Sequence, residues 1–280
     1  MRKTLLISFI CIALYATAGA QQLRTPQPSS TTTIKQNFGL GSIELNYSRP
    51  GIKGRKVFGD LVPFGKVWRT GANNATILTF SDEVTIGGTK VPAGKYGLLT
   101  IPDKDKWTII VTKATDVTSP ADYKQESDVV RVDVKPTSLS KPVETFTMQF
   151  TDVKNTSIAL NISWDKTAVS LPITTDIDGK VMAQIDAAMK SDNADKPYFP
   201  AAMYYMETGK DLNQALTWLD KAAEKDANAF WVWHQRANVL AKLGKKKEAV
   251  ESANKSIELA KVAKNSDYVA LNEKLLATLK

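Results

Sequence analysis

Residues 144–164, Glu144-Thr-Phe-Thr-Met-Gln-Phe-Thr-Asp-Val-Lys-Asn-Thr-Ser-Ile-Ala-Leu-Asn-Ile-Ser-Trp164, decide the fold class. Apolar side chains alternate with Thr, Gln, Asn or Ser from Glu144 to Phe150 and again from Ser157 to Trp164, with Asn155-Thr156 between the runs. A period of two places one set of side chains on each face of an extended chain, so both runs read as half-buried strands joined by a turn. The pattern continues outward through Ser42–Tyr47, Ala75–Phe80, Asp128–Val134 and Val169–Ile173. Gly87-Gly88, Pro92-Ala93-Gly94 and the tip Pro102–Lys106 supply the intervening turns. About ten short strands without helical crossovers predict an antiparallel β-sandwich or open barrel over residues 34–175.

After Asp176 the period becomes helical, with Val181, Ile185, Ala188 and Met189 on one face of a first helix. Phe199 and Trp233, Met203 and Ala237, Met206 and Leu240, and Ala215 and Ala249 are each 34 residues apart, and Gly209 and Gly244 are 35 apart. Aromatic, small, apolar, Gly, Ala at this spacing resembles the tetratricopeptide repeat, although Arg236 stands at its usual leucine position. The chain therefore reads as an α+β multidomain protein, with a TPR-like α-helical domain over residues 176–280. That tail either docks a protein partner or only packs and caps.

The N-terminus combines Arg2 and Lys3, an apolar run from Leu5 to Tyr15, and Ala18-Gly19-Ala20. This is the pattern of a signal peptide over residues 1–20, which predicts an exported, periplasmic or secreted protein. The apolar run is shorter than the roughly 18 residues a membrane span needs, and no later stretch reaches it, so no transmembrane segment is expected in the mature chain. Cys11, the sole cysteine, lies inside that run, which leaves no disulfide to the mature chain. Residues 21–33, rich in Ser, Thr and Pro, read as a linker.

The formal net charge is +8. Residues 21–175 hold 19 Lys/Arg against 14 Asp/Glu, and residues 176–280 hold 16 against 15. Between Arg49 and Arg69 there are six cations (Arg49, Lys53, Arg55, Lys56, Lys66, Arg69) and one acid, Asp60. The span Tyr47–Thr76 is far longer than a hairpin loop, and its Ile52, Val57, Phe58, Leu61, Val62, Phe64, Val67 and Trp68 give it apolar surface to bury. It reads as a structured excursion packed on a sheet. Arginine offers a planar fork for carboxylate or phosphate, lysine a mobile charge, Trp68 a flat face, and Asn73 hydrogen bonds to hydroxyls. The candidate ligand-binding residues are thus Arg49, Lys53, Arg55, Asp60, Lys66, Trp68, Arg69 and Asn73. The competing reading is a corner, with Arg69 paired to Asp60, Trp68 in the core and Gly71-Ala72-Asn73-Asn74 chosen for left-handed conformations.

The run SRPGIKGRKVFGDLVPFGKVWRTGANNAT (48–76), followed by VTIGGTKVPAGKYGLLTIP (84–102), resembles the exported domain of unknown function 2911 family, common in Bacteroidota. The resemblance covers about Ile34 to Thr175 and implies a β-rich exported bacterial domain, with no catalytic residues to carry over. The chemistry must come from residue types. His234, the lone histidine, sits in a helical segment beside Trp233, so neither a zinc site nor a Ser–His–Asp arrangement is supported and no metal or cofactor is expected. The pI near 9.3 invites a nucleic-acid reading, but export and the lack of a recognised module argue against it. The expectation is an exported binding protein that takes an anionic or hydroxyl-rich, carbohydrate-like ligand through residues 49–74. An uncharacterised hydrolase using carboxylate and arginine side chains of the same segment is the alternative.

Overall fold

The computed structural model describes residues 25–279, so the signal-peptide segment lies outside the described residues. The chain divides into two compact units between Asp176 and Ile177.

The first unit is built from ten strands: β1 (Ser30–Phe38), β2 (Gly41–Arg49), β3 (Ile77–Phe80), β4 (Val84–Ile86), β5 (Thr89–Val91), β6 (Gly94–Ile101), β7 (Trp107–Thr112), β8 (Asp128–Val134), β9 (Thr137–Thr151) and β10 (Ser157–Thr174). They form two sheets, ordered β1-β2-β3-β6-β7-β8 and β5-β4-β10-β9, and every strand pairing is antiparallel. Among the described residues neither sheet closes on itself, so no closed barrel forms. Instead the two sheets share one core. Leu45, Leu78 and Leu98 come from the larger sheet and Phe146, Leu160 and Leu171 from the smaller, all at 0% exposure. At roughly 1.5–3 kcal/mol for each such side chain, this shared burial is what favours two facing sheets.

Two boundaries differ from the sequence reading. β1 begins at Ser30, inside the stretch read as a linker, because Ser30–Thr33 pair with Asn46–Arg49 of β2 whatever their polarity. The runs 157–164 and 169–173 belong to one strand, β10. Register shifts on either side of Asp165, whose φ is 50°, absorb the irregularity as a bulge rather than a turn.

A smaller apolar layer covers the other face of the six-stranded sheet. Leu99 and Ile110 are buried there under Val117, with Val67, Ala114 and Tyr123 packed alongside. The connection 113–127 lies over this face and is clamped at its end. The Tyr123 hydroxyl donates to Asp128 Oδ2 at 2.5 Å, and Arg131 Nη1 donates to the Tyr123 oxygen at 2.5 Å and to Asp128 Oδ2 at 2.9 Å. Burial first, then the bond to the Asp128 carboxylate, pushes the Tyr123 phenol up from 10.0 to about 12. A raised pKa means the folded state holds this proton more tightly than the unfolded chain does. The stabilisation is therefore complete below pH 10 and is lost as pH rises through about 12. Tyr123→Phe should abolish that alkaline limb of the stability profile, and an ultraviolet tyrosinate titration should lose its latest component. An unchanged titration would refute the clamp.

The second unit holds α1 (Asp178–Lys190), α2 (Tyr198–Thr208), α3 (Leu212–Lys225), α4 (Phe230–Lys242), α5 (Lys246–Val262) and α6 (Ser266–Thr278). Short connections join α2 to α3 and α4 to α5, and in them Gly209 and Gly244 adopt φ of 70° and 75°. That left-handed conformation ends a helix at little cost only for glycine. Ala215, Ala237 and Ala249 are fully buried, so helices approach closely where no larger side chain would fit. His234 is buried, its Nδ1 2.8 Å from Asn272 Oδ1 and its Nε2 3.0 Å from Asn238 Nδ2. Both ring nitrogens are thus occupied by packing partners. Among the described residues no helix is long and apolar enough to cross a membrane, and no group of three His, Asp or Glu side chains is placed to hold a metal ion.

Candidate functional site

The excursion between β2 and β3 is laced to both sheets. Near its start Phe146 N donates to Pro50 O at 2.8 Å and Ile52 N to Glu144 O at 2.9 Å, tying it to β9. Near its end Trp68 N donates to Thr100 O at 2.7 Å and Thr100 N to Trp68 O at 3.0 Å, tying it to β6. Between these anchors Val57 and Val62 enter the main core. Leu61, counted among the residues to be buried, stays 41% exposed.

The chain then turns at Thr70–Asn73. Thr70 is fully buried at φ 55°, a conformation β-branched residues rarely hold. Such an outlier costs on the order of 1–3 kcal/mol and persists only where its surroundings hold it. Here the Thr76 hydroxyl donates to Thr70 O at 2.7 Å, and Thr70 Oγ1 lies 3.0 Å from Thr100 Oγ1. Gly71 follows at φ 153°, where a Cβ would sit 3.0 Å from Ser48 O.

This corner presents Trp68. Its ring stacks on Trp164 at a centroid distance of 5.8 Å and an interplanar angle of 16°, with Phe146 edge-on at 5.0 Å. The indole N–H donates to Gly71 O at 3.2 Å, and that of Trp164 to Glu144 O at 3.2 Å. Both tryptophans also line a cavity of about 420 Å³. Core and cavity wall, posed as alternatives for Trp68 by the sequence, are met here by one side chain.

Five of the eight candidate residues line that cavity: Lys53, Arg55, Lys66, Trp68 and Arg69. Among the described residues no carboxylate stands on its wall. Among the described residues none of the four cations is in an ion pair. Glu144, close to Gly51, has one oxygen occupied by the Lys53 backbone N–H at 3.0 Å. Arg55 is partly committed to structure, donating from Nε to Ile52 O at 3.0 Å and from Nη2 to Gly51 O at 2.7 Å. Arg69 gives Nη1 to Asn73 O at 2.9 Å, which fixes the guanidinium while its other N–H groups remain for a ligand.

The other three candidates stand outside the wall. Arg49 crosses between sheets, donating from Nε to Phe146 O at 3.1 Å and from Nη2 to Thr147 Oγ1 at 2.9 Å. Asp60 is exposed on a turn. Asn73, at φ 55°, donates its amide to Ser29 O at 2.8 Å, pinning the segment ahead of β1. Pro28 and Ser29 of that segment complete one side of the cavity, Thr118 and Pro120 another, and Trp164 is shared with the core. Sequence reasoning had Trp164 in a strand and Pro28-Ser29 in a linker. No local signal places them beside residue 69, because they arrive through sheet pairing and the Asn73 bond.

The family described as Protein of unknown function (DUF2911) matches residues 29–173, just over half of the chain. No curated protein matches the sequence.

Proposed function

Since the chain belongs to the DUF2911 family, described only as proteins of unknown function, the activity has to be argued from the site, and we propose that this is a binding protein for an anionic ligand. The observation that carries the reading is that, among the described residues, four cations, none ion-paired, surround one cavity whose wall holds no acid. Uncompensated positive charge in a partly desolvated concavity raises the local concentration of anions and orients them. Nothing observed favours the hydrolase alternative, because Asp60, the acid it would use, does not line the cavity. Export rests on residues 1–20 alone. The helical unit we read as tetratricopeptide-type hairpins, supported by the equivalent glycines at 209 and 244. A helix crossing geometry unlike that of such hairpins would remove this reading.

The anion reading is tested by calorimetric titration of the full chain with acids and their neutral counterparts, glucuronate against glucose and naphthoate against naphthalenemethanol. An acid should bind at least about tenfold more tightly than its neutral partner, roughly 1.4 kcal/mol. Arg69→Ala together with Lys66→Ala should remove that difference, and added salt should reduce it. Equal affinity for acid and neutral forms would overturn the proposal.

A further inference from the structure

The wall of the cavity narrows the ligand beyond its charge. We propose that the ligand is an organic acid with an apolar, ring-bearing body, its carboxylate held by the Arg69 guanidinium and its body lying against Trp68 and Leu61. This rests on the anion reading and deepens it.

Three observations point to the apolar body. First, the wall offers few acceptors. Among the described residues, and apart from the four cations and the two indoles, the polar side chains on the wall are the hydroxyls of Ser29 and Thr118, with no Asn, Gln, His, Asp or Glu. A sugar or other polyol needs acceptors for its own hydroxyl protons as well as donors, and a buried hydroxyl left without an acceptor costs about 1–3 kcal/mol. Second, four of the wall's carbonyls are already engaged. Pro50 O accepts from Phe146 N at 2.8 Å, Gly51 O from Arg55 at 2.7 Å, Trp68 O from Thr100 N at 3.0 Å and Gly71 O from the Trp68 indole at 3.2 Å. These two observations favour the acidic half of the sequence expectation over the hydroxyl-rich half. Third, Leu61 stands 41% exposed on this wall. Covering it, with the Trp68 indole and Val67 beside it, is worth about 25 cal/mol per Å² of apolar surface removed from water. A small inorganic anion would leave that surface wet.

Arg69 is the specificity residue in this arrangement. Its Nη1 bond to Asn73 O holds the fork in place, and a fixed planar fork matches a carboxylate in a way that a lysine ammonium does not.

The test titrates the full chain with naphthoate, naphthalenemethanol, glucuronate and inorganic phosphate, read by calorimetry and by quenching of tryptophan emission. Naphthoate should bind at least tenfold more tightly than each of the other three. Leu61→Ser, at an exposed position, should weaken naphthoate several-fold and leave any glucuronate or phosphate binding unchanged. Arg69→Lys should retain the charge yet lose most of the preference for naphthoate over its alcohol. Glucuronate or phosphate binding as tightly as naphthoate would overturn the apolar-acid proposal while leaving the anion reading intact. Naphthalenemethanol binding as tightly as naphthoate, or no binding by any of the four, would overturn both.

Discussion

Replacing Trp164 by alanine is expected to destabilise the β unit by about 3–5 kcal/mol, the range for deleting a buried aromatic side chain. Trp164 is 2% exposed and lies within 7 Å, centroid to centroid, of Phe58, Trp68 and Phe146. Removing it opens a void among these rings and removes the indole's bond to Glu144 O. The loss extends to the strained corner, because Trp68 is held partly by its stack on Trp164. Urea unfolding followed by far-ultraviolet circular dichroism measures the midpoint. Trp164→Phe, which keeps a ring, should recover much of the loss. An alanine variant within about 1 kcal/mol of the parent would show that the cluster is dispensable and that Trp68 is positioned by its backbone alone.

Most strands were legible because alternation is local: each of Ser42–Tyr47, Ala75–Phe80 and Glu144–Phe150 carries its own period of two. The bulge at Asp165 was not, since a residue at positive φ inside a strand leaves only the gap in alternation that a turn would also leave. The site shows the same division more sharply. Charge density singled out one segment, and five of its eight nominated residues line the cavity. Composition cannot distinguish Arg49 from Arg69, however. One donates to β9, 97 residues away in sequence, and the other to Asn73, four residues on. Sheet pairing makes that choice. Asn73 was nominated for its amide, and the amide does bind, but to Ser29 of its own chain. It helps to build the cavity without touching its interior.

Gly97→Val should be nearly as damaging as the loss of Trp164, for the opposite reason. Gly97 sits in β6 between Ile77 of β3 and Thr112 of β7, and an added Cβ would come 2.2 Å from Ala114 O and 3.0 Å from Thr112 Cγ2. Real side chains essentially never approach below 3.0 Å, and the obstacle here is backbone rather than the end of a flexible side chain. Overpacking ordinarily costs 1–3 kcal/mol, and a clash that must displace main chain belongs at or above the top of that range, about 3 kcal/mol or more. What must move is the connection 113–127 where it crosses the sheet. Lifting Ala114 uncovers the small layer over Leu99 and Ile110, now closed by Val117 at 2% exposure. It also loosens the Tyr123 clamp and draws Thr118 and Pro120 away from the cavity they line. The variant should therefore show a lower unfolding midpoint, faster amide exchange concentrated in 113–127, and weaker naphthoate binding although no cation has changed. Exchange that accelerates evenly over the whole β unit, or a midpoint within about 0.5 kcal/mol of the parent, would mean that the connection is not seated on Gly97 and that the cavity wall does not depend on it.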